Sequence, residues 1–167
     1  MLSDPALHQT AVHESGHAVM AWLLGLRVHR MEFKAPELGG RTVVDNHTDR
    51  LHDAYVALAG VECERALGIQ RNPATDIGPF GDYCALDNVL TDIGIEDEMS
   101  KEVKDILEER VAWVFERAEV RRAAAALADL MLASAPLGDD TVMALLERML
   151  PREDNPPIWM PLPEGLR

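Results

Sequence analysis

Residues 7 to 24, LHQTAVHESGHAVMAWLL, restrict the fold of this chain more than any other segment. Ala11, Val12, Ala18, Val19, Met20, Trp22, Leu23 and Leu24 lie nearly all round a helix of 3.6 residues per turn. A helix apolar on every side belongs in the middle of a domain. Gly25 supplies a natural C-cap. The same segment carries His13, Glu14 and His17 in an H-E-x-x-H pattern. Two imidazoles and a carboxylate are costly in an apolar interior without a partner, and a metal ion is such a partner. His13 and His17, four residues apart, share one helix face and can reach one ion. Glu14 is then placed to hold a metal-activated water and take its proton. The competing reading of the motif is a buried helix with two hydrogen-bonded histidines. Gly16 removes a side chain beside the site, which we read as room for substrate backbone.

A catalytic zinc site needs a third protein ligand and one position for water. The candidates are Glu62, Glu64, Asp76, Asp82, Asp87, Asp92 and His52. In the helix expected near residues 82 to 93, Ala85, Leu86, Val89, Leu90 and Ile93 form the apolar face. Asp82 precedes the first two by three and four residues, so it points inward at the helix start. Asp87 is about 100° from Leu86 and belongs to the polar flank. The alternative for Asp82 is an N-terminal capping carboxylate. Glu64 is the next candidate ligand, although a place on the helix surface is the commoner fate of such a residue.

The rest of the chain reads as short strands near residues 28 to 33 and 42 to 44, joined by a Gly-containing loop. Helices are expected at 53 to 67, closed by Gly68, at 82 to 93, from Ser100 as a cap through the region of residue 116, at 120 to 133 and at 139 to 150. Pro73, Gly78, Pro79 and Gly81 mark a loop over 71 to 81. The fold class is mainly α with a small β-sheet (α+β). Residues 1 to 150 form the expected domain, and 151 to 167 form an extended Pro-rich tail. Its Ile158, Trp159 and Met160 are expected to pack on their own domain, with docking on another chain as the alternative.

Among 167 residues, 29 acidic against 16 basic side chains give a net charge of −13. That balance argues against nucleic acid and against anionic membrane surfaces as partners. Cys63 and Cys84 match no paired-thiolate metal motif and no disulfide framework, so two buried reduced thiols are expected. The start lacks a basic and apolar leader pattern. The longest apolar stretch, residues 18 to 26, is about half a membrane span. The expected location is cytoplasmic.

Five stretches, in order, resemble the peptidase domain of the FtsH family of ATP-dependent zinc metalloproteases. TAVHESGHAVMAWLLG (10 to 25) resembles its His-Glu-Ala-Gly-His helix, and VHRMEFKAPELGGRT (28 to 42) the strand and loop after it. LAGVECERALG (58 to 68) is similar to its Gly-Gly-Arg-x-Ala-Glu-Glu helix. GPFGDYCAL (78 to 86) resembles the segment bearing the third zinc ligand, and 102 to 106 with 137 to 146 resemble the closing helices. The resemblance implies zinc (Zn2+) on His13, His17 and Asp82, Glu14 as catalytic base, and an extended substrate along the edge of the small sheet. Ser15, Glu62, Arg65 and Gly81 depart from the family pattern, but none of these removes a ligand. The 167 residues contain no G-x-x-x-x-G-K-[ST] loop and no membrane span.

The expected function is therefore a stand-alone zinc-dependent metallopeptidase acting on unstructured peptide or protein, alone, with a partner protein, or as a homo-oligomer. The alternatives are a peptidase-like binding protein that keeps the site without turnover, and a regulator peptidase that cleaves one partner.

Overall fold

The computed structural model describes residues 4–34, 39–45, 49–70, 78–95 and 97–154. Helix α1 (Pro5–Leu23) is its axis, and every residue from Ala11 to Leu23 is buried. It begins earlier than its apolar pattern, because Asp4 caps it by accepting from the Ala6 amide at 2.9 Å and Pro5 sits in the first turn. It ends as expected at Gly25, whose φ of +86° is the left-handed conformation a helix C-terminus favours.

Strand β1 (Val28–Phe33) pairs antiparallel with β2 (Gly40–Val44), with an irregularity between Val28 and Arg30. Helix α2 (Arg50–Ala66) starts on Asp49, which accepts from the Leu51 amide at 3.0 Å. Helix α3 (Gly78–Asp92) starts four residues before the expected boundary at Asp82. Asp82 therefore stands in the second turn and is not the capping residue. Helix α4 (Asp97–Glu116) likewise begins before Ser100, which is not its cap. Helix α5 (Ala118–Ser134), the two-residue strand β3 (Leu137–Gly138) and helix α6 (Asp139–Met149) follow.

β3 was not legible as a strand, since two residues carry no alternation. It pairs with β1 through Met31 and Leu137, giving a three-stranded sheet in the order β2-β1-β3 with β2 at one edge. Mainly helical with a small antiparallel sheet is the class expected from the sequence. Among the described residues, no helix is long and apolar enough to cross a membrane. Asp76 and the tail triplet Ile158, Trp159 and Met160 lie outside the described residues.

The core joins α1 to α2, α5 and the sheet, with Met20, Leu23, Met31, Tyr55, Leu58, Phe115, Leu127 and Met131 all fully buried. Trp22 fixes the end of α6 to α1, donating Nε1–H to the Leu150 carbonyl at 2.9 Å while the Arg152 guanidinium lies over its ring at 4.0 Å. Cys63 is buried, and that burial pushes its thiol pKa up. Cys84 is exposed, against the expectation of two buried thiols, because its helix turns that position to solvent.

Gly16 does not make room for substrate. It lets α1 and α2 touch: a Cβ there would lie 2.4 Å from the Ala59 carbonyl oxygen and 2.6 Å from the Cys63 Cβ. Neither neighbour is the flexible end of a side chain, so Gly16→Ala is expected to destabilise the chain by about 1–3 kcal/mol, or more if the helices cannot part. Denaturant unfolding of the variant against wild type checks this.

Candidate metal centre

The helical repeat places His13 and His17 one turn apart on α1, with ring centroids 4.6 Å apart and planes at 88°. Each ring is oriented through its Nδ1. His17 Nδ1–H donates to the Val56 carbonyl at 2.6 Å, and His13 Nδ1–H donates to Glu64 Oε1 at 2.5 Å. Both Nε2 atoms consequently face the same point, where Asp82 Oδ2 arrives from α3, 2.7 Å from His13 and 3.7 Å from His17. One donor atom from each of the three residues lies within 4.8 Å of the others. Among the described residues no other such group of histidine, cysteine or acidic side chains occurs.

Two observations test whether these residues suit a cation. Asp82 Oδ2 is shut off from solvent yet receives no properly aligned hydrogen bond, despite its 2.7 Å approach to His13. A buried carboxylate oxygen in that condition needs a positive partner. The donor set of two imidazole nitrogens and one carboxylate oxygen is also that of an open catalytic site, with three protein ligands. The charge balance agrees. Burial acts to lower the pKa of His13, but the carboxylates of Asp82 and Glu64 outweigh it and raise the pKa from 6.5 to about 10. A place that attracts a proton this strongly also attracts a dication.

Glu64 is thus not the surface residue its type suggested. It is 2% exposed and takes up the far side of His13, with Gln9 donating to its Oε2 at 3.3 Å. The signal was in the sequence: Ala54, Ala57, Val61 and Glu64 share one helix face, so Glu64 continues a buried stripe. His13 also needs Gly60, because a Cβ there would meet its ring at 2.5 Å.

The remaining candidate ligands among the described residues are engaged elsewhere. Glu62 is buried and pairs with Arg65 at 2.5 Å. Asp87 pairs with Lys104 on the polar flank expected for it, and Asp92 pairs with Arg50. His52 lies 3.7 Å from Asp49 at the start of α2. Glu14, 6% exposed, turns toward β2, where the Thr42 hydroxyl donates to its Oε2 at 2.7 Å. An open cleft of about 420 Å³ adjoins the centre. His17, Asp82 and Thr42 line it together with the apolar Val56, Ala57, Ala85 and Val89, and the polar Arg50, Asp53 and Asn88.

A family model described as Peptidase M50B-like matches residues 5–62. That match supports a metallopeptidase family. It takes in His13, Glu14, His17 and the strands β1 and β2, whereas Glu64 and Asp82 lie beyond it. The matched family is a site-2 protease family and not FtsH, so the comparison favours a different metallopeptidase family from the one the five stretches resemble. Among curated proteins none matches the chain.

Two outcomes are expected. Glu64→Gln should weaken metal affinity about 10- to 100-fold, because an outer carboxylate orients the ligand ring and raises its basicity; a metal titration measures this. For the metal-free chain, the pKa of His13 is about 10 when folded against 6.5 unfolded. The protonated ring therefore contributes its full stability below 6.5, and that contribution is lost as pH rises through 10. Chelated protein should lose stability across this window while metal affinity increases, as followed by unfolding and metal titrations at several pH values.

Proposed function

We propose that this chain is a zinc-dependent metallopeptidase that hydrolyses bonds in unstructured peptides. The observation that carries the proposal is the meeting of the His13 and His17 Nε2 atoms with the buried Asp82 Oδ2, with Glu14 next to His13 in the helix. The family match over residues 5–62 supports the peptidase class. An N, N, O donor set buried beside an open cleft favours zinc over the harder, all-oxygen cations.

His13, His17 and Asp82 would hold the ion. When bound, it supplies Lewis acidity that polarises a peptide carbonyl and makes water nucleophilic near neutral pH. The chain's own part begins with Glu14. Its carboxylate, held at Oε2 by Thr42, would receive the proton of the attacking water. The same carboxyl then returns that proton to the departing amine. His17 is turned by its bond to the Val56 carbonyl, and His13 by its bond to Glu64. The edge strand β2 carries Thr42, so an extended peptide lying along that edge would bring its backbone past Glu14 and the cleft. Such a mode needs an unfolded segment, which is why unstructured polypeptide is the proposed substrate class.

The test compares wild type with Glu14→Gln, measuring zinc content and cleavage of casein and a mixed peptide pool. Zinc should remain at one per chain in both proteins, while cleavage should fall by at least about 100-fold in the variant. Zinc-loaded protein that cleaves nothing, or a variant that cleaves as well as wild type, would overturn the peptidase reading.

A further inference from the structure

The geometry points to Thr42 as a positioning residue for Glu14, working with a glycine two residues earlier on the same strand. The inference rests on the reading of Glu14 as the base and deepens it. Alternation along β2 puts residues 40 and 42 on one face of the sheet, and that face meets α1. Residue 40 has no side chain, and the carboxylate of Glu14 uses that space. A Cβ on Gly40 would fall 2.4 Å from Glu14 Cγ and 2.7 Å from its Oε1. At residue 42 the strand presents a hydroxyl, which donates to Oε2 at 2.7 Å. The Glu14 carboxylate is therefore confined on one side by Gly40 backbone and on the other by the Thr42 hydroxyl.

A purely structural role for Thr42 would be to tie sheet to helix. Its single hydroxyl proton is shared between the Glu14 carboxylate at 2.7 Å and the Glu14 main-chain oxygen at 3.1 Å, and the longer contact is the one that ties sheet to helix. The shorter contact to the carboxylate is the one that bears on the reaction. Thr42 also lines the cleft beside His17 and Asp82, so the residue that orients the base faces the space in which substrate would lie.

Thr42→Val keeps the shape and removes the donor, while Thr42→Ser keeps the donor. In the zinc-loaded protein, Thr42→Val should lower kcat about 10- to 100-fold, the range expected for a hydrogen bond to a charged group, with KM and zinc stoichiometry little changed. Thr42→Ser should restore kcat to near wild type. In crystal structures, Glu14 should leave its place against Gly40 in the valine variant and keep it in the serine variant. Gly40→Ala, on a half-exposed edge strand, should displace Glu14 and lower kcat with Thr42 intact, which keeps the inference testable if the valine variant does not fold.

A valine variant with undiminished kcat, a serine variant as impaired as the valine one, or Glu14 unmoved in both crystal structures would overturn it. If wild type binds zinc and cleaves nothing, the peptidase reading fails by itself. The position of Glu14 in the crystal structures then still decides the role of Thr42.

Discussion

The contact between α1 and α2 is the constraint on which the rest of the site depends. Gly16 brings the Ala59 main chain against α1, and Gly60 brings α2 against the His13 ring. Only at that separation can Glu64 reach His13 Nδ1 and the Val56 carbonyl reach His17 Nδ1. Two histidines on a buried helix would otherwise be a liability of several kcal/mol in unsatisfied polar groups. Here one nitrogen of each ring is bonded to α2, and the other is turned toward Asp82. The tight helix packing and the metal-binding geometry are one arrangement.

The charges at the centre follow the same logic. Glu64 and Asp82 meet the two imidazoles, Glu14 is their neighbour in the helix, and Glu14 and Glu64 are buried. Burial of several carboxylates so close together is tolerable when a positive charge sits among them, and the raised pKa of His13 expresses that demand in terms of a proton. The net charge of −13 therefore has a local component at the centre. Elsewhere, acidic side chains such as Asp92 and Asp139 are paired with Arg50 and Arg27 on the surface.

What was legible in the sequence was whatever one helix can specify by itself. The all-round apolar character of α1, its H-E-x-x-H pattern and the inward face of the helix bearing Asp82 each follow from periodicity, and the structure brings His13, His17 and Asp82 together. What depends on a second element was not legible. Gly16 looked like space for substrate because nothing in α1 alone shows the Ala59 carbonyl against it. Sequence alone leaves Glu64 open between next candidate ligand and surface residue: the α2 stripe marks it as buried, but the His13 ring that it meets belongs to α1. Helix starts were placed late because Asp4 and Asp49 act through backbone amides, which leave no hydrophobic period to detect. Thr42 carried no motif, and its importance comes from the register that sets it on the same face as Gly40.

The site is also assembled from two parts of unequal rigidity. His13, Glu14 and His17 are fixed by the packed interface of α1 with α2 and by the sheet, all within or next to the segment matching the metallopeptidase family. Asp82 comes from α3, which lies beyond that segment and rests on α2 through Leu86, Val89 and Leu90. Its other ties include the Tyr83 hydroxyl donating to Glu108 of α4 at 3.3 Å and the surface pairs Asp92 with Arg50 and Asp87 with Lys104, and such surface pairs contribute little each. Asp82 Oδ2 has no aligned hydrogen bond of its own to hold it in place. A cation shared by His13, His17 and Asp82 would therefore do more than supply chemistry. It would add to the 2.7 Å contact of Asp82 with His13 as a tie between α3 and α1, so that metal binding and completion of the fold around the cleft become coupled.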